Sequence, residues 1–317
     1  MSEEEILSKR NIIFILVITL IISIVGLIFI VLGLNNAINE YFYDNDIAFI
    51  IGTAIGYLGW HTALIVLLLS VLIVYDVRFA KNLAFSLLGS FYLNSLLKDI
   101  IQDPTPFTRR EAPGFGFPSG HAQNSVAIWG YLSYQAYKKN IKYLPWIFLV
   151  FVYLIATARI LNGSHDIDDV VGGLLVGIAF LLAFIYLEPI VTEHINHLNF
   201  KIKLVLSTVI PIALFIITIL IFPESEIDYG LIGGALLGLS IGYLLEVEYI
   251  QYNPAELNNK QKIINLIIGL VLVLVVYLAL DLLVSIENQV WAFFKYLIII
   301  LTAILLVPWI LQKIKRQ

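Results

Sequence analysis

The chain has 317 residues, 60% of them hydrophobic and only 13% charged, with a formal net charge of −4. A soluble fold of this length could not hide so much apolar surface, so the composition points to an integral membrane protein. The small acidic balance and the lack of a basic tract argue against a nucleic-acid partner, and the absence of cysteine excludes disulfides and thiolate metal sites.

The first apolar stretch runs from Asn11 to Leu34 behind an acidic, then basic, N-terminus (MSEEEILSKR). It exceeds the ~20 residues a helix needs to cross a bilayer. It also outruns a signal-peptide core, and it reads as a retained first helix. Further apolar runs lie at 48–75, 82–101, 121–137, 143–160, 168–189, 204–222, 229–246, 263–286 and 290–312, which makes ten candidate spans. The expected fold is an all-α polytopic membrane protein with about ten transmembrane helices. The run at 121–137 is the least apolar, and Gln123, Asn124 and Ser125 on its first turn belong in the bundle interior.

A polar, histidine-containing segment from Glu188 to Lys203 sets a soft boundary. It separates a six-helix core, residues 1–190, from a four-helix C-terminal extension, residues 191–317. In the extension Gly230, Gly234, Gly238 and Gly242 recur every fourth residue. Such a stripe lets helix backbones approach closely, whether against the core, in a homodimer or beside a lipid entrance. GGLLVG at 172–177 and GGALLG at 233–238 echo each other, as an internal repeat or as two uses of small-residue packing.

Cationic residues accumulate in cytoplasmic loops. With a cytoplasmic N-terminus, fourteen of the 19 Lys and Arg fall on that side, and Lys98, Arg109, Arg110, Arg159 and Lys295 on the other. Both termini are therefore expected in the cytoplasm of a cell-membrane protein.

Two stretches carry the chemistry: Pro118-Ser119-Gly120-His121, and Arg159 followed by His165 and Asp169. Each lies where a polar loop meets an apolar run, and ionisable groups there are costly without a use. Cleaving a phosphate ester needs donors around the nonbridging oxygens, an in-line nucleophile and an acid for the leaving oxygen. Ser119 and Gly120 open a helix whose amides and dipole suit an anion, although Ser119 is equally an ordinary N-cap. His165 and Asp169 are four apart, so the carboxylate can hold one ring nitrogen and leave the other to attack. His121 is available as general acid, and Arg159 and Lys98 end helices on the same side. Asn94, one turn before Lys98, is an accessory candidate.

The pattern Lys–x6–x–Pro, then Pro-Ser-Gly-His, then Arg–x5–His–x3–Asp resembles the type 2 phosphatidic acid phosphatase superfamily, most strongly over residues 50–190. That group also includes vanadium haloperoxidases and glucose-6-phosphatase-like enzymes. The resemblance implies metal-independent hydrolysis without a cofactor, with His165 as nucleophile, Asp169 as its partner and His121 as acid. Lys98, Ser119, Gly120 and Arg159 would bind phosphate. Two departures stand out: Ala158 replaces a serine, and Thr105 replaces the first motif's arginine, a role that Arg109 or Arg110 could take over. The implied function is a membrane lipid phosphatase acting on a polyprenyl, phosphatidate-like or long-chain-base phosphate at the outer face. A phosphotransferase using the same site, or a lipid-binding or transport protein with a weakened pocket, are the alternatives.

Overall fold

The computed structural model describes residues 21, 24–26, 28, 31–43, 45–103, 114–283 and 288–315. In chain order the helices are α1 (Leu34–Tyr43), α2 (Asp46–Gly56), α3 (His61–Ser70), α4 (Val77–Ile101), α5 (Gly120–Ser125), α6 (Tyr131–Lys138) and α7 (Leu144–Leu161). They continue as α8 (Ile167–Asn196), α9 (Phe200–Ile221), α10 (Tyr229–Leu245), α11 (Asn259–Leu283), α12 (Gln289–Leu301) and α13 (Val307–Lys315). A 3₁₀ turn, Tyr57–Gly59, joins α2 towards α3, and a π-helical turn, Val126–Gly130, joins α5 to α6. No strand occurs among the described residues, as expected for an all-α membrane protein.

Seven helical stretches among the described residues are long and apolar enough to cross a membrane. They are Asp46–Tyr75, Leu144–Leu161, Ile167–Asn196, Phe200–Ile221, Tyr229–Ile250, Asn259–Leu283 and Gln289–Ile314. They coincide with seven of the ten expected spans. The runs at 82–101 and 121–137 are helical but fall short of the same apolarity, because the first carries Asn82, Ser86, Ser90, Asn94, Ser95, Lys98 and Asp99 and the second opens on Gln123, Asn124 and Ser125. The first expected span lies largely outside the described residues, as do Thr105, Arg109 and Arg110.

Helix starts follow from short polar side chains that accept from an amide otherwise left unpaired. Asn45 accepts from Ala48 at 3.0 Å, Asn199 from Ile202 at 3.0 Å, Asp228 from Leu231 at 2.9 Å and Asn288 from Trp291 at 2.7 Å. Proline near the start of α7 costs no helical hydrogen bond.

The chain divides into two compact units. The first comprises residues up to His61 together with Gly89–Glu193, and the second Thr62–Leu88 together with His194–Gln317. Residues 62–88 thus cluster with the C-terminal helices. The reason is apolar packing: Leu72, Ile73, Val77 and Ala80 share one buried cluster with Val273, Ile304 and Val307.

Within the second unit the glycine stripe of α10 is filled by the same chain. A side chain at Gly234 would run into the Phe293 carbonyl, and one at Gly238 would stand 2.9 Å from Ile300 Cβ. Of the uses expected for the glycine face, close backbone packing is the one seen, and the neighbour is α12. Gln289 locks the start of this pair: Gly230 N donates to its Oε1 at 2.8 Å and its Nε2 donates to Ile227 O at 2.7 Å. Gln289→Ala removes both bonds, and thermal unfolding in detergent should report a loss of ~1–3 kcal/mol.

Candidate active site

The C-terminus of α7 sets the site's backbone. Gly163 has φ +67, which glycine adopts without strain, and it turns the chain in a Schellman motif. Gly163 N donates to Ile160 O at 3.0 Å, and Ser164 N and His165 N both donate to Arg159 O at 3.1 Å. The side chain of Asn162 tightens the turn by accepting from Ser164 N at 3.2 Å. Arg159 and His165 are thereby held against one another by main chain, and both are buried.

The start of α8 supplies the next element. His165 Nδ1 lies 3.0 Å from Asp169 Oδ2, and the same oxygen accepts from Asp166 N at 3.3 Å. With Nδ1 committed to the carboxylate, Nε2 carries the ring's lone pair. Asp169 also works through its backbone, since its carbonyl accepts from Ser119 N at 2.9 Å. This bond ties the Pro-Ser-Gly-His segment to the His–Asp pair.

A buried polar network carries that segment from below. Asn94 Nδ2 donates to Pro118 O at 3.0 Å and to Gln123 Oε1 at 2.9 Å. Gln123 Nε2 donates to Ser90 O at 2.8 Å, and Ser90 Oγ to Asn124 Oδ1 at 2.8 Å. One turn beyond Asn94, Lys98 Nζ donates to Phe115 O at 2.8 Å. Asn94 and Lys98 therefore grip the same segment in parallel. Ser90, Asn94, Gln123 and Asn124 are all buried, the interior placement expected for the first turn of this helix. Asn94→Leu strands the Pro118 and Gln123 acceptors, each costing ~1–3 kcal/mol. The unfolding temperature measured in detergent should fall.

Ser119 stands at the N-cap position of α5, as expected, although neither its amide nor its hydroxyl is used as the sequence suggests. Its amide is taken by Asp169, so it cannot also receive an anion. Its hydroxyl makes no cap bond and, fully buried, has no partner among the described residues. A buried hydroxyl left so is costly unless something else fills the place.

Residues 79–193 match the model described as the PAP2 superfamily, and residues 230–317 match the one described as the PAP2 superfamily phosphatase transmembrane extension. The chain belongs to the PAP2 superfamily. The first match covers Lys98, Pro118–His121, Arg159, His165 and Asp169, and the second covers the glycine stripe and α12. A relative, lipid phosphate phosphatase delta from Arabidopsis thaliana, is 29% identical over 123 residues, which is 33% of this chain and 30% of that protein. The chain thus spans about a third of the length of the curated relative it matches. Among solved structures, a transmembrane PAP2 type phosphatidylglycerolphosphate phosphatase from Bacillus subtilis is similar at a TM-score of 0.45 and 20% identity, covering 56% of this chain and 95% of that one.

Lys98, Pro118–His121, Arg159, His165 and Asp169 all fall in the first unit, and the bonds above hold Lys98, Pro118, Ser119, Arg159, His165 and Asp169 there. Three glycines of α2 and its following turn, absent from the motifs, line the same place. Side chains at Gly52 would meet Ala158 O and Asn162 N at 2.7 Å, at Gly56 Arg159 Nη1 at 3.7 Å, and at Gly59 His121 Cδ2 at 3.0 Å. The available signal was their spacing (GTAIGYLG), which puts small residues on one helical face. On α8, Gly173 and Gly177 do the same for α5: a side chain at Gly173 would stand 2.5 Å from Ser119 O, and one at Gly177 2.9 Å from Gln123 O.

Proposed function

We propose that this PAP2 protein is an integral membrane lipid phosphatase that cleaves a lipid phosphate or diphosphate through a phosphohistidine. The observation that carries this reading is the His165–Asp169 pair, 3.0 Å apart, bonded through Asp169 O to a segment whose Ser119 hydroxyl is buried with no partner among the described residues. Ser119 Oγ, Lys98 and Arg159 receive the nonbridging oxygens, and the Gly120 amide adds a donor where no side chain intervenes. His165 Nε2 attacks phosphorus and the bond to the leaving oxygen breaks, His121 giving that oxygen its proton. Water then attacks phosphorus, His121 takes its proton, the N–P bond breaks and inorganic phosphate leaves. Asp169 stabilises the imidazolium character that develops on His165.

The bias of Lys and Arg supports cytoplasmic termini and a site on the opposite face of a cell membrane. The chain has no cysteine, so a cysteine introduced at Ser225 is a clean reporter. A membrane-impermeant maleimide should label it in intact cells, and labelling only after lysis would reverse the orientation.

The enzymatic reading is tested with protein in detergent offered polyprenyl, phosphatidate and long-chain-base phosphates in excess chelator. Free phosphate released from lipid and water alone supports the hydrolase. Turnover only with an alcohol acceptor would make it a phosphotransferase, and no turnover on any lipid would leave a binding protein.

A further inference from the structure

The span Asp46–Tyr75 is not one helix. α2 stops at Gly56, Tyr57–Gly59 form a 3₁₀ turn, and Trp60 is extended at φ −73 and ψ 147. Irregular backbone inside an apolar span is tolerated where it packs on protein or borders a polar cavity, not where it faces lipid. This break lies against the site. A side chain at Gly59 would stand 3.0 Å from His121 Cδ2 and 2.9 Å from Ile155 Cγ2. Its neighbours are nonetheless open: Tyr57 is 52% exposed and Trp60 41% exposed, their rings 4.7 Å apart.

Exposed aromatics usually mark the interfacial belts of a membrane protein. The turn lies level with the last turn of α7, since a side chain at Gly56 would meet Arg159 Nη1 at 3.7 Å and one at Gly59 Ile155 Cγ2 at 2.9 Å, so this aromatic pair borders the site itself. A phenol offers an apolar ring with a polar tip, which suits the border between an alkyl chain and a polar site. We infer that the Tyr57–Trp60 turn receives the first carbons of the leaving alcohol's apolar chain, making Tyr57 and Trp60 specificity-determining residues. The inference rests on the phosphatase reading. If His121 protonates the leaving oxygen, the carbon bonded to that oxygen comes to rest beside His121. From the 3₁₀ turn and α7 the neighbours there are Gly59 and Ile155. Glycine leaves that wall low, and the aromatic pair continues it with apolar surface.

The test is a series of alkyl phosphates of increasing chain length, scored as the ratio of kcat/KM for the longest to that for the shortest. Trp60→Ala should lower this ratio by about tenfold, as expected for losing contact with one or two methylenes, and Trp60→Phe should restore most of it. Tyr57→Ala, a smaller change, should lower the ratio in the same direction should Trp60→Ala fail to fold. Trp146→Ala, at a still more exposed tryptophan on α7, is the control for general contact with detergent. A ratio unmoved by Trp60→Ala and Tyr57→Ala, or lowered as much by Trp146→Ala, overturns the inference alone. No release from any member by the unaltered protein overturns the phosphatase reading and this inference with it.

Discussion

His165→Ala is expected to abolish phosphate release, by on the order of 10⁴-fold or more, as removing a nucleophile from a coupled catalytic unit does. The fold should survive. The bond from His165 N to Arg159 O, and that from Ser119 N to Asp169 O, are both main-chain and do not need the imidazole. The loss should therefore be one of chemistry, with only a small drop in unfolding temperature. Asp169→Asn is the sharper companion. It keeps the side-chain volume and the backbone tie to Ser119, but an amide can present its NH₂ to Nδ1 and reverse the tautomer. The precedent of a carboxylate orienting a catalytic histidine puts that loss near ~10⁴-fold in kcat. A phosphorylated protein trapped by acid-free quenching should appear in the unaltered chain and vanish in His165→Ala. Release at more than a tenth of the normal rate in that variant would remove His165 from the nucleophile's role.

Much of this site was legible because its parts lie close in sequence. The four-residue spacing of His165 and Asp169 implies one helical face, and the structure places them 3.0 Å apart. Polar Gln123 and Asn124 at the head of an otherwise apolar run implied an interior helix, and the network with Ser90 and Asn94 is the physical reason. That same burial explains why apolar length alone misjudges such helices: polar groups paired inside a bundle need not face lipid. Other features depend on which distant element comes near, and local pattern does not encode that. The glycines at 52, 56 and 59 are visible as small residues, but nothing in their spacing names Asn162, Arg159 and His121 as neighbours. Ser119 was expected as an amide donor to an anion or as an N-cap; it keeps the N-cap position, and only the approach of Asp169 O takes its amide. The GGLLVG and GGALLG echo has a packing explanation: Gly173 and Gly177 admit α5, while Gly234 and Gly238 admit α12.

Those two glycine pairs give the second large effect. At Gly173→Ala the new methyl would stand 2.5 Å from Ser119 O and 3.0 Å from Ala122 Cβ. The obstacle is backbone, so α8 or the Ser119 segment must move. Ser119 O is also the acceptor for Gln123 N at 3.0 Å, and Ser119 N is bonded to Asp169 O. Any shift therefore travels into the buried hydroxyl and the His–Asp pair. Overpacking of this kind costs ~1–3 kcal/mol in stability. A displacement approaching 1 Å at a reacting group can cost about 10²-fold in rate. Gly173→Ala should show both effects: a lower unfolding temperature, and a fall in kcat per folded molecule. Gly234→Ala drives a methyl at the Phe293 backbone, in the other unit, with no site residue beside it. It should lose stability while the folded fraction keeps its turnover. Measuring unfolding and phosphate release on the same preparations separates the two. Equal losses of turnover per folded molecule would mean that the α10–α12 packing also shapes the site. Unchanged turnover in Gly173→Ala would mean that the Ser119 segment tolerates displacement, and its proposed contact with phosphate would fall.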